Sequence, residues 1–163
     1  VRAILFDKTA GENWSVSWHQ DLTVAVERRV EVPGYGPWSV KDRVVHTQAP
    51  ASLLARMVTI RIHLDDTPAE NGALRMIPGS HRHGRLGDEA VEELTRQPHV
   101  TCVAQGGDVL LTAPLILHAS RKATRPARRR IVHFEYAPPD ALDPWLTWAE
   151  GNSQPAVPGC WRT

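Results

Sequence analysis

The sequence predicts an all-β domain, either a sandwich or a barrel built from short strands. Apolar and β-branched runs of strand length recur along the 163 residues, several of them with period-two alternation. Thirteen prolines and eleven glycines separate these runs. Only one segment has the charge distribution and spacing of a helix. Many short strands separated by turn residues in one domain are typical of sandwiches and barrels.

Nine strands are predicted, each a run with strand propensity that is bounded by turn or polar residues. Strands of this length in a single domain leave little room for long helices or linkers. In chain order the predicted strands are residues 2–6, 15–20, 43–48, 56–64, 73–77, 99–104, 108–112, 115–118 and 129–136.

Turn residues and one helix complete the prediction. Asn71-Gly72 favours the positive φ angles of a tight hairpin turn between the strands at 56–64 and 73–77. Pro78-Gly79 and Gly106-Gly107 indicate two further turns. The helix is predicted at 87–97, because two acidic residues in its first turn suit the helix dipole.

Composition excludes several classes of protein. With 42% hydrophobic and 23% charged residues, the chain has the make-up of one soluble globular domain. A net charge of +1 argues against a nucleic-acid partner. The longest apolar runs are far too short to cross a membrane, so no membrane partner is expected.

The start of the sequence and its two cysteines bear on the cellular compartment of the protein. No basic-then-apolar leader opens the sequence, which favours a cytoplasmic protein. Cys102 and Cys160 lie 58 positions apart with no CxxC motif, so reduced thiols are expected rather than a disulfide. Because the chain passes from Val1 almost directly into a strand, we expect that an N-terminal portion of the domain is missing.

His19 and Asp21 lie two positions apart in a segment with strand character. Alternate side chains of a strand share a face, so both can bind one metal ion without distorting the backbone. The same pair also fits a partly buried histidine that is hydrogen-bonded to a neighbouring carboxylate. The pair alone leaves both interpretations open.

A third metal ligand would come from a distant strand. His118 ends the apolar run at 107–117, and a buried imidazole needs a partner. His81 and His83 follow a turn and are the alternatives. The remaining histidines lack such a setting and are expected to be packing or rim residues; they are His46, His63, His99 and His133.

Three stretches together resemble the phytanoyl-CoA dioxygenase family of iron(II)- and 2-oxoglutarate-dependent oxygenases. They read NWSVSWHQD, RIHLDDTPAENGALRMIPGSHRHG and GGDVLLTAPLILHASRKATRPARRRIVHFEYA, and the resemblance runs from about residue 2 to 137. It implies a double-stranded β-helix of the jelly-roll or cupin-like kind with one or two short helices, and His19, Asp21 and His118 as the iron ligands.

This ligand set explains the cofactors that the resemblance implies. Two imidazoles and one carboxylate on one face of an octahedral ion leave three positions open. A 2-oxo acid can fill two of them and dioxygen the third. The resemblance therefore implies Fe(II), 2-oxoglutarate and O2, with hydroxylation of a small or medium organic substrate and with succinate and CO2 as co-products.

A guanidinium suits the far carboxylate of 2-oxoglutarate. Of the basic residues at 121–130, most are expected to form a solvated loop. Strand alternation places Arg129 with polar neighbours and Arg130 with apolar ones. The co-substrate arginine of the family follows the last iron histidine by eleven positions, which implies Arg129, and Arg130 remains the alternative.

Three further residues are candidates for the cofactor-binding pocket. In the register of the family, Ile4 lines the co-substrate pocket, and Lys8 lies near the co-substrate or the mouth of the substrate site. Arg61 interrupts the apolar strand at 56–64, and a buried guanidinium needs an anionic partner, either a bound carboxylate or Asp65. Some relatives carry tryptophan at the position of Arg61.

Two other functions remain open at this stage. One is a cupin-like metalloenzyme that uses no 2-oxo acid, and the other is a catalytically silent binding module on the same fold. A monomer or a homodimer is expected. Relatives usually place further elements ahead of the first strand, so their absence would expose an apolar sheet face. The segment at 22–48 is interpreted as a loop forming a lid or rim.

Overall fold

A computed structural model describes residues 2–149 of the chain. These residues form eleven strands, two short α-helices and three single turns of 3₁₀-helix. The strands are β1 (Arg2–Lys8), β2 (Val16–His19), β3 (Thr23–Val26), β4 (Trp38–Lys41), β5 (Val44–Gln48), β6 (Val58–His63), β7 (Leu74–Met76), β8 (Val100–Cys102), β9 (Val109–Thr112), β10 (His118–Ser120) and β11 (Arg129–Tyr136). The helices are α1 (Ala51–Leu54), α2 (Asp88–Thr95) and the 3₁₀ turns Ala69–Asn71, Ser80–His83 and Pro139–Ala141.

The strands form three antiparallel sheets. The major sheet has the order β1-β11-β6-β9, and the minor sheet has the order β2-β10-β7-β8. The third sheet has the order β3-β5-β4. The chain crosses between the major and minor sheets from β6 to β7 and again at each step from β8 to β11, as in a double-stranded β-helix. The predicted all-β fold class with two short helices is confirmed.

The major sheet carries its polar side chains on the inner face. In the register of β11 with its neighbours, Arg129 pairs with Lys8, and His133 pairs with both Ile4 and Arg61. Residues at paired positions point to the same side of a sheet. All five of these side chains are buried. The inside of this sheet is therefore lined with charged groups, which is unusual for a protein core.

The outer face of the major sheet is apolar. Val109 on β9 is 55% exposed and Leu111 is 63% exposed, and Val58 and Tyr136 are also exposed on this face. The expectation that preceding elements cover this sheet stays a prediction.

The main hydrophobic core lies between the third sheet and α1. Val24 and Val26 on β3 pack with Leu53 and Leu54 of α1 and with Leu115. Each of these side chains is almost completely buried. The inference that 22–48 is a loop is therefore wrong, because β3, β4 and β5 form a sheet there and supply part of the core.

Two local predictions differ from the structure. The strand expected at 115–118 begins only at His118, because the preceding residues form a turn closed by the Ile116 amide and the Ala113 carbonyl. The hairpin at Asn71-Gly72 is wrong. Asn71 ends a 3₁₀ turn and only Gly72 has a positive φ, so the chain crosses from β6 in one sheet to β7 in the other.

Two smaller expectations concern the thiols and the membrane. Cys102 is a free thiol, while Cys160 lies outside the described residues. Within residues 2–149, no helix has both the length and the apolar character needed to span a membrane.

Candidate metal centre

His19, Asp21 and His118 converge at one end of the double-stranded β-helix. His19 is the last residue of β2, and His118 is the first residue of β10, which pairs with β2 so that the two histidines lie opposite each other. Nε2 of His19 lies 3.6 Å from Oδ1 of Asp21, and Nε2 of His118 lies 3.6 Å from Oδ2. The three donor groups thus surround one point, although about 97 residues of chain separate Asp21 from His118.

Both imidazoles present the nitrogen that a metal requires. Nδ1 of His19 lies 2.8 Å from the Ser17 carbonyl oxygen, and Nδ1 of His118 lies 2.9 Å from that of Ile116. A carbonyl oxygen can only accept, so the proton is assigned to Nδ1 and the lone pair to Nε2. An ion bonded at about 2.1 Å holds neighbouring donors about 3 Å apart, which these side chains reach by a small adjustment.

The electrostatics of the three groups suit metal binding. Burial lowers the pKa of His118 to about 4, so its imidazole is neutral at physiological pH. Burial raises the pKa of Asp21, but the two histidines outweigh this effect and the pKa is lowered overall. Burial acts to lower the pKa of His19, but Asp21 outweighs burial, and the pKa lies above its ordinary value overall. An ionised carboxylate beside neutral imidazoles is the ligating form of this set, so a metal at His19 would displace the proton that Asp21 favours there.

Gln20 connects the segments that carry the triad. Its Nε2 donates to the carbonyl oxygens of Gly84 at 2.9 Å and Leu115 at 2.7 Å, and its Oε1 accepts from the Leu86 amide at 2.8 Å. Because Leu115 lies three residues before His118, these bonds fix the two ligand segments relative to each other.

Ser80 also holds the segment that leads into His118. Its hydroxyl donates to the Ile77 carbonyl at 2.8 Å and accepts from the Leu117 amide at 2.8 Å. A direct backbone bond of 3.0 Å also joins the Asp21 amide to the Pro114 carbonyl. The ligand segments are therefore tied together by buried hydrogen bonds.

Lys8, Arg61 and Arg129 form a row of buried cations on the inner face of the major sheet. Their exposed fractions are 5%, 8% and 5%. Burial together with the two guanidinium groups lowers the pKa of Lys8 to about 8. Burial and the charge of Arg61 lower the pKa of Arg129 to about 10. Three like charges held together in this way favour the binding of an anion.

Several polar atoms beside these cations have no hydrogen-bond partner among the described residues. Lys8 donates to the Trp14 carbonyl at 2.6 Å, and Arg129 donates from Nη1 to the carbonyl of Gly72. The unpaired atoms on this face are Thr59 Oγ1, Arg61 Nε, His63 Nε2 and Arg129 Nε. Buried polar atoms are rarely left unpaired, so this row lacks partners that a polar ligand could supply.

The structure separates the predicted pocket residues into those on the inner face and those elsewhere. Ile4 is buried beside the cations, whereas Arg130 lies on the outer face and pairs with Asp65 at 2.7 Å. The suggested pairing of Arg61 with Asp65 is therefore wrong. Arg61 instead places Nη1 3.0 Å from Nδ1 of His133.

Two residues of the site escaped the sequence analysis. His133 was expected to be a packing or rim residue, yet its Nε2 lies 3.3 Å from Oε1 of Glu135. Donor atoms of His133, Glu135 and Asp21 all lie within 4.8 Å of one another. The available signal was the alternation of β11, which places both residues on the face of Arg129.

The other candidate histidines lie outside this cluster. His81 and His83 belong to the 3₁₀ turn Ser80–His83. His99 contacts the ring of Trp18, and His46 lies on the third sheet. Neither His81 nor His83 contributes to a metal-binding cluster in the part of the chain that the structure describes.

Comparison with known proteins places these features in context. The family model of phytanoyl-CoA dioxygenase (PhyH) matches residues 1–131. AviO1 from Streptomyces viridochromogenes Tue57 is 28% identical, with a TM-score of 0.57 over 85% of this chain and 50% of that chain. EvdMO1 is 25% identical, with a TM-score of 0.58 over 83% of this chain and 26% of that chain.

A more distant structure shares the fold. EctD from S. alaskensis, solved with 2-oxoglutarate and 5-hydroxyectoine, is 22% identical, with a TM-score of 0.56 over 82% of this chain and 42% of that chain. The present chain thus spans half or less of the length of these solved structures. No curated protein matches the chain.

Proposed function

The chain belongs to the phytanoyl-CoA dioxygenase family, and on this premise we propose that it is a non-haem iron(II)- and 2-oxoglutarate-dependent oxygenase. The observation that carries this proposal is the convergence of His19, Asp21 and His118, with Nε2 of both imidazoles directed towards the carboxylate. This donor set binds an octahedral ion on one face and leaves positions open for other ligands. Iron is therefore held by these three side chains.

A bound 2-oxoglutarate would be held between the triad and Arg129. The guanidinium of Arg129 and the ammonium of Lys8 bind the far carboxylate of 2-oxoglutarate, and Ile4 contacts the carbon chain between the two ends. The unpaired Nε of Arg129 supports this placement, because a bidentate carboxylate supplies the missing partner. Arg61 lies closer to the triad and adds a third positive charge.

The chemical role of each group follows from its position. When bound, the iron couples oxidative decarboxylation of 2-oxoglutarate to the reaction of dioxygen with a C–H bond of the substrate, giving succinate, CO2 and a hydroxylated product. Asp21 and the neutral imidazoles retain the metal, while the cations orient the co-substrate and balance its charge. The substrate is a small or medium organic molecule.

The row of cations also favours this function over a cupin-like enzyme that uses no 2-oxo acid. A metal centre that needs only one organic substrate has no requirement for three buried positive charges on the neighbouring strands. Burying such charges is costly unless an anion balances them.

The proposal is tested by anaerobic addition of Fe(II) and 2-oxoglutarate. A weak visible charge-transfer band of the chelated 2-oxo acid is expected in the parent chain. Arg129→Met should weaken the binding of 2-oxoglutarate by about 10- to 100-fold, because a charge-assisted pair is lost. Arg128→Met is the matched control, since Arg128 lies on the outer face and pairs with Asp7. Absence of the band, together with absence of succinate after O2 is admitted, would contradict the proposal.

A further inference from the structure

Arg61, His133 and Glu135 form a continuous buried chain of polar contacts. Nη1 of Arg61 lies 3.0 Å from Nδ1 of His133, and Nε2 of His133 lies 3.3 Å from Oε1 of Glu135. None of the three side chains is more than 8% exposed. A buried chain that joins a cation to an anion through an imidazole is a defined structural unit rather than incidental packing.

The chemistry of arginine fixes the protons in this chain. A guanidinium has five donors and no acceptor, so Nδ1 of His133 must accept from Arg61. The proton of the neutral imidazole is therefore assigned to Nε2, which donates to the carboxylate of Glu135. His133 thus links the guanidinium of Arg61 to the carboxylate of Glu135 through two hydrogen bonds. Glu135 partly balances the positive charge of Arg61.

The chain lies between the triad and the distal arginine. His133 and Arg61 pair across β11 and β6, and Arg129 lies four residues before His133 on the same face. Donor atoms of His133 and Glu135 come within 4.8 Å of the nearest donor atom of Asp21. Along the strand direction, Arg61 is therefore nearer to the metal triad than Arg129 is. Its buried Nε has no partner among the described residues.

We propose that Arg61 binds the carboxylate next to the keto group of the 2-oxo acid, and that His133 and Glu135 are positioning residues that hold its guanidinium. This inference rests on the proposed function, in which Arg129 takes the other carboxylate. Two guanidinium groups at different distances from the metal match the two carboxylates of a 2-oxo diacid. Arg61 offers its unpaired Nε and its second terminal nitrogen to the ligand, while Nη1 remains bound to His133.

The same three donors of Asp21, His133 and Glu135 could instead surround a second cation. The position of Arg61 argues against this, because its guanidinium would lie close to the added positive charge. In addition, Nη1 of Arg61 already engages His133, and the proton of that ring faces Glu135. Metal binding at Nε2 would require the loss of that proton.

Ligands that differ in one carboxylate separate the roles of the two arginines. Affinities for 2-oxoglutarate and for 2-oxobutyrate, which lacks the distal carboxylate, are measured anaerobically with Fe(II) by calorimetry and by the chelate absorption band. Arg61→Met should weaken the binding of both acids by about 10- to 100-fold. Arg129→Met should weaken only 2-oxoglutarate to this extent. Arg128→Met should affect neither acid.

Double-mutant cycles test the positioning role. His133→Leu should weaken both acids as Arg61→Met does, whereas adding His133→Leu to Arg61→Met should cause little further loss, because the effect acts through Arg61. Glu135→Gln retains an acceptor and should cause a smaller loss than His133→Leu. Arg61→Lys and Glu135→Gln change little volume, so they keep the test decisive if the larger substitutions fail to fold. Arg61→Lys should weaken both acids, because the ammonium lacks the bidentate fork.

Several outcomes would overturn the inference while leaving the proposed function intact. One is unchanged binding of 2-oxobutyrate in Arg61→Met and Arg61→Lys when the parent chain binds it. Another is additive losses in the cycle of His133 and Arg61. A third is a metal stoichiometry of two in the parent that falls to one in Glu135→Gln, which would assign these residues to a second cation. Failure of the parent to bind either acid would instead contradict the proposed function.

Discussion

Asp21 supplies the single carboxylate between the two imidazoles of the proposed metal site, and its removal is the most direct test at the scale of one residue. In Asp21→Ala the site loses one of three donors and the charge that offsets the metal ion. The loss of Co(II) affinity should exceed the roughly 10- to 100-fold effect typical of residues that only support a ligand. Titration calorimetry or the visible spectrum of bound Co(II) measures this change.

The control for this variant removes a carboxylate elsewhere. Asp140 is exposed and pairs with Arg56 on the surface, so Asp140→Ala should leave Co(II) affinity unchanged. Equal metal affinity in Asp21→Ala and in the parent chain would show that the triad is not the metal site. Unfolding curves of both variants without metal distinguish a lost ligand from a lost fold.

If Lys8 binds the co-substrate as proposed, its titration should make that binding dependent on pH. Its pKa lies at about 8, below the ordinary 10.5, so the ammonium is charged at neutral pH and loses its proton as the pH rises through this range. The affinity for 2-oxoglutarate should therefore fall between pH 8 and 10, by at most about tenfold per pH unit for one proton. Chelate-band titrations at several pH values measure this dependence.

Replacing Lys8 should remove this part of the pH profile. Lys8→Met is expected to bind 2-oxoglutarate more weakly at pH 7 and to show a flatter profile above pH 8. In the absence of 2-oxoglutarate, rising pH should have the opposite effect on folding stability from its effect on 2-oxoglutarate affinity. The unfolded chain binds more protons at Lys8 between pH 8 and 10.5, so folding stability in the parent should rise across that interval. A profile in Lys8→Met identical to that of the parent would exclude this lysine as the cause.

At the scale of elements, Gly72 determines how the chain passes from β6 to β7. Its φ is +69°, and a Cβ atom there would lie 2.8 Å from the Arg121 carbonyl oxygen. Gly72→Ala should therefore lower the free energy of unfolding by about 1–3 kcal/mol. Because the Gly72 carbonyl accepts from Arg129, the variant should also weaken 2-oxoglutarate binding. Denaturant unfolding and chelate titration measure the two effects.

The matched glycine for this test is Gly87. It precedes α2 with an extended backbone, and no atom lies within 4 Å of a Cβ built on it. Gly87→Ala should leave both stability and co-substrate binding nearly unchanged. If Gly72→Ala behaved in the same way, the close approach of the backbone at this crossing would have no energetic consequence.

Gln20 joins three segments and should contribute strongly to stability. Gln20→Leu leaves the buried Leu115 carbonyl and the partly buried Gly84 carbonyl and Leu86 amide without their partners, at a cost of roughly 2–4 kcal/mol in the free energy of unfolding. Metal affinity should fall as well, since the segments of Asp21 and His118 lose a shared support. Gln97→Leu, at an exposed position after α2, is the control in denaturant unfolding.

The elements also show which parts of the site a sequence can predict. The alternation of β11 separates Arg129 from Arg130 because the period of a strand is a local property. The same rule could have placed His133 and Glu135 in the site. The contact of His133 with Arg61, however, depends on the register between β11 and β6, which is set by tertiary pairing.

Secondary-structure predictions from local sequence are wrong where tertiary structure overrides the local preference. The stretch Thr23–Val26 has the alternation of a strand, but the density of proline and glycine after it favoured a loop there. The strand predicted at 43–48 is confirmed as β5. Asn71-Gly72 is a strong hairpin signal, yet the chain uses the positive φ of Gly72 to change sheets. A dipeptide determines the local backbone angle and not the partner strand that follows.

For the whole molecule, the distribution of polarity across the major sheet is the main energetic feature. The inner face carries three cations and several unpaired polar atoms, while the outer face is apolar. A ligand that fills the inner face should therefore stabilise the entire fold, since it supplies the missing partners and the balancing charge. Domain stability and co-substrate binding should therefore be coupled.

This coupling predicts a thermal shift. With Co(II) present and 2-oxoglutarate at 100 times its dissociation constant, binding adds about 2.7 kcal/mol to the free energy of unfolding. For a domain of this size, that corresponds to an increase in melting temperature of roughly 5–10 °C. Arg129→Met should show a much smaller shift at the same concentration, and Arg128→Met should match the parent. If 2-oxoglutarate left the melting temperature of the metal-loaded parent unchanged at every concentration, the inner face would not be its binding site.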